Sequence, residues 1–212
     1  MEIQYSTYNQ ISSYENLLLA FKKAAKHKSK KEYVIKFRKD LRENIQKLRI
    51  ELLFHSYNPR PLKTFIIRDP KTRKISKSEF KDRIVHHAIC NILEPLFNKI
   101  FIYDSYANRK NKGTLKALQR FDYFRKKVSK NNTKNVFILK ADIKHYFEEV
   151  NHKILINLIK RKIKCSKTLW LIKKILENPV KRERERERER DARKKHAAWQ
   201  FNFSIFCQYL FK

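Results

Sequence analysis

The chain has 212 residues, of which 42% are hydrophobic, and its formal net charge at neutral pH is +31. The hydrophobic content, which includes 15 Phe and 10 Tyr, indicates a folded protein with a sizeable core and excludes a wholly disordered chain. So large an excess of positive charge indicates a polyanionic partner, and nucleic acid is the first candidate because no membrane-anchoring segment is expected.

The cysteines and the N-terminus bear on the compartment. Cys90, Cys165 and Cys207 lie far apart with no Cys-x-x-Cys pair, which indicates a reducing compartment and argues against a structural zinc site. The first residues do not resemble a signal peptide, and no apolar run approaches membrane-spanning length. We therefore expect a cytoplasmic protein.

Residues 13–54 are predicted to be helical. Apolar side chains recur there at spacings of three and four, which predicts one amphipathic face: Tyr33, Val34, Phe37, Leu41, Ile45, Leu48 and Leu52. The Lys and Arg residues of this region either form a solvated face or contact an RNA backbone, and both can hold together.

A β-hairpin is predicted after the Pro59 and Pro61 break, with strands over 63–68 and 73–76 around a turn at 69–72. Its tip and flanks carry several cations, namely Arg68, Lys71, Arg73 and Lys74. Cations on such a hairpin are ordinarily solvated.

A helix is predicted to begin at Phe80. We expect Asp82 and Arg83 to form a local ion pair, and we interpret His86 and His87 as structural because they are not at metal-ligand spacing on one helical face. A basic segment over 103–114 and a further helix over 115–127 follow.

The run from Val136 to Leu139 has the length and character of a buried strand, and Asp142 follows its end. A carboxylate in that place either binds a hard cation such as Mg²⁺ beside a phosphate or caps the following helix, whose apolar face begins at Val150. The spacing leaves both interpretations open.

Residues 139–147, with His152, resemble the first catalytic motif of the retron-type reverse transcriptases. The blocks at 80–88, 94–97 and 103–114 resemble the fingers motifs of that family, and 15–24 is most similar to the enzymes of diversity-generating retroelements. The resemblance implies an α+β fold: a basic N-terminal helical region (1–60), the fingers (61–130) and the first part of a right-hand polymerase palm (131–180). It also implies RNA-directed DNA synthesis.

The resemblance assigns roles to single residues. Asp142 is expected to bind two Mg²⁺ ions with help from the backbone carbonyl of Ile143, and Phe147 to exclude a ribose 2′-OH, although a lone Phe is more often part of a core. Arg73 is expected to grip the triphosphate, with Lys71 or Arg68 as its partner.

Nucleic-acid contacts are expected from Arg109, Lys110 and Lys112 around Gly113, which allows close backbone approach to template phosphates. We include Arg83 in this group. The partners implied are an RNA template, a DNA or RNA primer and deoxynucleoside triphosphates, with room for a small accessory protein and no membrane.

The sequence departs from the family after position 180. It lacks the paired aspartates that complete the palm and has instead an alternating Arg/Glu tract from Lys181 to Asp191. An (AG)n repeat encodes such a tract in every forward frame, and a one-base shift of one synonymous coding of 199–212 gives a segment like the missing family motif. We therefore interpret 181–212 as a frameshifted tail and expect a truncated, inactive polymerase. The alternatives are a non-catalytic RNA-binding protein of the same fold and a basic ribosome-associated module.

Overall fold

The structure is a computed structural model, and it describes residues 6–68, 70, 72–142 and 150–178. The helices of these ranges are α1 (Ser6–Ile11), α2 (Tyr14–Ala25), α3 (Glu32–Lys39), α4 (Leu41–Leu53), α5 (Phe80–Asn98), α6 (Thr114–Val128), α7 (His152–Lys162) and α8 (Ser166–Leu176). The strands are β1 (Lys63–Ile67) and β2 (Arg73–Lys77). The described ranges thus form a helical body with one small hairpin, and the Arg/Glu tract lies outside them.

The core lies between helices that are distant in sequence. Helix α2 packs along α5, and Leu17 and Ala20 of α2 are fully buried, as are Ile84 and Ala88 of α5. Burying one such Leu or Ile side chain stabilises the fold by about 1.5–3 kcal/mol. Helix α4 adds the predicted apolar face to the same core, since its Ile45, Leu48 and Leu52 are fully buried.

A polar network fixes the register of these helices. The side chain of Asn16 donates to the carbonyl of Ile11 at 3.0 Å and to the carbonyl of Ala88 at 3.1 Å. Its own oxygen accepts from Asn91 at 2.8 Å, and Lys23 donates to Asn91. Because these groups lie among apolar side chains, a shift of α2 along α5 would leave buried polar atoms unpaired.

The predicted hairpin is confirmed. Strands β1 and β2 pair antiparallel, with Lys63 opposite Lys77 and Ile67 opposite Arg73. Phe65 and Ile66 are exposed, and an isolated two-stranded hairpin is marginally stable in water. Its attachment at the base, described below, therefore has to hold it on the helical body.

The strand predicted over 136–139 is wrong in this structure. These residues form no regular element, and the side chains of Phe137 and Leu139 are 103% and 92% exposed. A strand needs a neighbour that takes up its backbone N–H and C=O groups, and the described ranges place none beside this segment, since the sheet there contains only β1 and β2.

Helix α7 is capped by the residue just before it. The side chain of Asn151 accepts from the backbone N–H of Lys153 at 3.0 Å and of Ile154 at 3.3 Å. Asp142 therefore does not cap α7, and the residues that directly follow Asp142 lie outside the described residues. No helix of the described ranges is both long enough and apolar enough to cross a membrane.

Candidate nucleic-acid interface

The base of the hairpin is tied to α5 by charged and polar contacts. Glu79, just before α5, pairs with Lys63 at 2.9 Å and with Arg60 at 3.3 Å. The hydrogen bond from Lys63 lowers the pKa of the Glu79 carboxyl below its usual value. Lys63 and Arg60 are thus held at the base, where Lys77 also lies opposite Lys63.

The outer end of the hairpin carries the residues expected to hold the triphosphate. Arg73 opens β2 opposite Ile67, so the backbone register places it beside Arg68, which follows β1 and is exposed. Lys71 lies outside the described residues. The triphosphate role of Arg73, Arg68 and Lys71 stays a prediction.

Asp82 does not form the predicted ion pair with Arg83. It is 1% exposed, and its carboxylate accepts from the Tyr57 hydroxyl at 2.7 Å and from the backbone N–H of Arg60 at 3.1 Å. Burial raises the pKa of Asp82 above its usual value, although both hydrogen bonds act in the opposite direction. Asp82 therefore fixes the chain that leads from α4 into the hairpin.

Arg83 has its partners inside the fold, and the nucleic-acid role expected of it stays a prediction. Arg83 is only 7% exposed, and its guanidinium lies 5.0 Å from the ring centroid of Tyr33 and 5.3 Å from that of Phe80. A cation held between two rings inside the fold contributes cation–π stabilisation and packing of its aliphatic stem.

Arg109 organises the loop that contains it. It donates to the side-chain oxygen of Asn98 at 3.0 Å, to the carbonyls of Ile102 and Ser105 at 3.0 and 3.1 Å, and to the carbonyl of Asn98 at 3.3 Å. These bonds occupy most of the guanidinium donors, so Arg109 has a structural role in the loop, and its expected phosphate contact stays a prediction. The neighbouring Lys110 is exposed.

Lys112 and Gly113 lead from this loop into α6. The Lys112 ammonium donates to the carbonyl of Tyr103 at 2.6 Å and lies 3.7 Å from the Tyr103 ring centroid and 4.7 Å from that of Tyr106. Gly113 has φ of +93°, a conformation that glycine adopts without strain. A Cβ atom at Gly113 would meet nothing within 4 Å, so the glycine is explained by backbone conformation and not by crowding within the chain.

The sequence prediction missed an open cavity of about 390 Å³ between this loop and α6. It is lined by Tyr103, Tyr106, Asn111, Lys112, Lys116, Gln119, Arg120 and Tyr123. The signal that could have revealed it is helical spacing, because positions 116, 119, 120 and 123 share one face of α6. The cavity combines aromatic rings with cations, which is the chemistry of single-stranded nucleic-acid binding sites.

Arg120 stiffens one wall of this cavity. It pairs with Asp104 at 2.8 Å, and its guanidinium lies 4.4 Å from the Phe124 ring centroid and 5.0 Å from that of Tyr123. The hydrogen bond from Arg120 holds the pKa of the Asp104 carboxyl below its usual value, and Tyr106 also donates to Asp104, at 3.1 Å.

Of the residues predicted to bind metal, the structure describes only Asp142. Asp142 is exposed on an irregular segment, and no group of three or more His, Cys, Asp or Glu side chains that could hold a metal ion occurs in the part of the chain that the structure describes. Mg²⁺ requires several oxygen ligands, so Asp142 alone would not hold the ion, and its metal-binding role stays a prediction. Ile143 and Phe147 lie outside the described residues. His86 is structural in this setting, since burial lowers its pKa to about 3 and keeps it neutral.

Comparison with known proteins identifies related sequences. A family model described as "Reverse transcriptase (RNA-dependent DNA polymerase)" matches residues 67–199, which is more than half of the chain. Protein YkfC of Escherichia coli (strain K12) is 26% identical over 135 residues, covering 63% of this chain and 35% of YkfC. The group II intron-encoded protein LtrA of Lactococcus lactis subsp. cremoris is 28% identical over 138 residues, covering 64% of this chain and 22% of LtrA. The chain therefore spans about a third or less of the length of these curated relatives.

Proposed function

The chain belongs to the reverse transcriptase family, and from this premise we propose that it carries the fingers and the first part of the palm of a retroelement RNA-directed DNA polymerase. The observation that carries the proposal is the family match, which runs from the end of β1 through the hairpin, α5, α6 and the Asp142 segment. We include the diversity-generating subtype in the proposal because of the sequence similarity at 15–24, and the relatives described above include a group II intron-encoded protein.

The binding part of this function rests on exposed cations. Lys110 and Lys116 are exposed on the loop and on α6, and Arg68 is exposed at the end of the hairpin, while the chain as a whole carries +31. Each cation that neutralises a phosphate releases a condensed counterion, so RNA affinity must fall steeply with salt and depend little on sequence.

The chemical part of the function depends on the pair of adjacent aspartates that completes the palm in this family, and this sequence lacks that pair. The sequence contains no Asp-Asp dipeptide, and Asp142 is exposed and not held in a strand. Our proposal therefore includes a frameshifted tail and the loss of polymerisation. It also includes the binding of two Mg²⁺ ions by the complete enzyme. The exposure of Phe137 and Leu139 favours the second candidate, a non-catalytic RNA-binding protein of the same fold.

Two measurements on the 212-residue chain test the proposal. RNA binding is followed by fluorescence anisotropy across a salt series, and a linear fall of log affinity with log salt is expected. Primer extension on an RNA template with Mg²⁺ is expected to give no product, whereas the chain with the shifted frame restored after the Arg/Glu tract is expected to give product that Asp142→Asn abolishes.

Affinity that is unchanged between low and moderate salt would contradict the binding part. Extension by the 212-residue chain would contradict the loss of polymerisation. Extension by neither form, with binding intact, would favour the non-catalytic candidate.

A further inference from the structure

The cavity between the 103–113 loop and α6 is lined by both aromatic rings and cations, which together favour a particular kind of ligand. We propose that it receives one unpaired nucleotide of a bound single strand, with the base stacked on Tyr103 and Tyr123 and the phosphate beside Lys116. This inference rests on the proposed function, since it names a site that the nucleic-acid strand would occupy.

The first step is the exposure of the rings. Tyr103 is 70% exposed and Tyr123 is 51% exposed, although both line a concave surface. Large aromatic side chains on a concave, water-filled surface provide planar faces on which a base can stack, whatever its identity.

The second step is that these rings are held in place before any ligand arrives. Lys112 bridges Tyr103 and Tyr106, with its ammonium 3.7 and 4.7 Å from their ring centroids. Arg120 lies 5.3 Å from the Tyr103 ring centroid and 5.0 Å from that of Tyr123, and Asp104 fixes its guanidinium at 2.8 Å. A ligand therefore loses little side-chain freedom when it binds.

The third step is the charge around the cavity. Asp104 offsets the charge of Arg120, whereas Lys112 and Lys116 have no carboxylate within ion-pair distance in the described part of the chain. An anionic group is favoured beside Lys116, on the same face of α6 as Tyr123. An apolar ligand would contact only the rings, whereas a nucleotide can stack its base on the rings and place its phosphate beside the cations.

The fourth step is size. A cavity of about 390 Å³ lies at the lower end of the range that small-ligand sites occupy. It is large enough for a single nucleotide and too small for a duplex. The cavity is open to solvent, so a strand can continue beyond it.

The experiment compares an unstructured single-stranded RNA with the same strand in abasic form, by fluorescence anisotropy on the full chain at fixed salt. The base-bearing strand is expected to bind at least about five-fold more tightly, since stacking of one base on an aromatic side chain corresponds to roughly 5- to 100-fold in affinity. The variant Tyr103→Ala/Tyr123→Ala should lose this preference and keep the salt slope of the wild type.

Two control variants test whether the preference depends on the rings that line the cavity. Tyr103→Phe/Tyr123→Phe should keep the preference, because stacking needs the ring and not the hydroxyl. Phe54→Ala removes an exposed aromatic side chain that does not line the cavity, and it should leave the preference unchanged. Thermal unfolding of each variant shows whether an effect on binding reflects the fold.

Equal affinity for the two strands in the wild type would overturn the inference, and so would a preference that survives the double alanine variant. In either case salt-dependent binding of both strands would leave the proposed function standing. Binding of neither strand would overturn both. If adenosine monophosphate bound in the cavity while the alanine variant still preferred the base-bearing strand, the site would belong to a free nucleotide and the strand proposal would be wrong.

Discussion

Replacing Tyr57 by phenylalanine tests the buried hydrogen bond that fixes the base of the hairpin. Tyr57 and Asp82 are each 1% exposed, and the Tyr57 hydroxyl donates to the Asp82 carboxylate at 2.7 Å. The substitution removes one oxygen and keeps the ring, so the packing term is small and the lost bond dominates.

The expected cost follows from what remains at Asp82. A buried acceptor that loses its donor costs about 1–3 kcal/mol. The other carboxylate oxygen still accepts from the backbone N–H of Arg60 at 3.1 Å, so Asp82 is not left wholly unpaired and the middle of that range, about 2 kcal/mol, is expected. For a chain of this size the midpoint of thermal unfolding should fall by roughly 4–8 °C.

Urea unfolding followed by far-UV circular dichroism measures the free energy of unfolding directly, with an unchanged slope expected for a local loss. Tyr103→Phe is the matched control, because its ring is 70% exposed and surface changes are usually within about 0.5 kcal/mol. A change at Tyr57 no larger than that of the control would refute the reasoning.

Four further variants test the roles of buried groups and of residues in the 98–113 loop. Because burial raises the folded-state pKa of Asp82 above 3.8, its contribution to stability is fully present below that value and is lost as pH rises through the folded-state pKa. Asp82→Asn should flatten this part of a stability–pH profile measured by urea unfolding, and a variant profile parallel to the wild type would contradict the assignment. Arg109→Lys keeps the charge but loses several loop hydrogen bonds of about 1 kcal/mol each, so amide exchange should accelerate over residues 98–113 while the salt slope of RNA binding stays the same. Lys110→Ala should do the reverse, lowering the slope by about 1 with normal exchange. Arg83→Met should lower the free energy of unfolding by about 1–2 kcal/mol through the lost cation–π contacts, and a loss of RNA affinity without loss of stability would support its predicted binding role.

The sequence predicted the helices and the hairpin because their signals are local. The apolar spacing in 33–52 identified Val34, Ile45, Leu48 and Leu52, all of which are fully buried. The Pro-containing turn at 69–72 located the hairpin to within a residue at each strand end.

Side-chain roles were harder to predict because the partners come from distant positions. Arg83 meets Tyr33, and Asp82 meets Tyr57, across gaps in sequence that periodicity does not bridge. A basic residue in a basic chain is interpreted as a phosphate ligand unless its partners are known. Arg109 shows the same limit, since the groups that occupy it are backbone carbonyls, which carry no sequence signature.

Residues 136–139, which do not form the predicted strand, bear on one of two requirements of a polymerase. These requirements are nucleic-acid binding and the positioning of catalytic carboxylates. Nucleic-acid binding needs cations and rings on a stable support, and here the support is fixed: Asp82 holds the N–H of Arg60, and Asn178 donates to the Arg60 carbonyl at 2.8 Å. Phosphoryl transfer also needs carboxylates held within a fraction of an ångström, and Asp142 follows a segment whose apolar side chains face solvent. A β-branched and aromatic run becomes a strand only when a neighbour takes its backbone groups. The proposed RNA binding therefore rests on groups that the described structure holds in place, whereas the positioning of Asp142 for phosphoryl transfer stays a prediction.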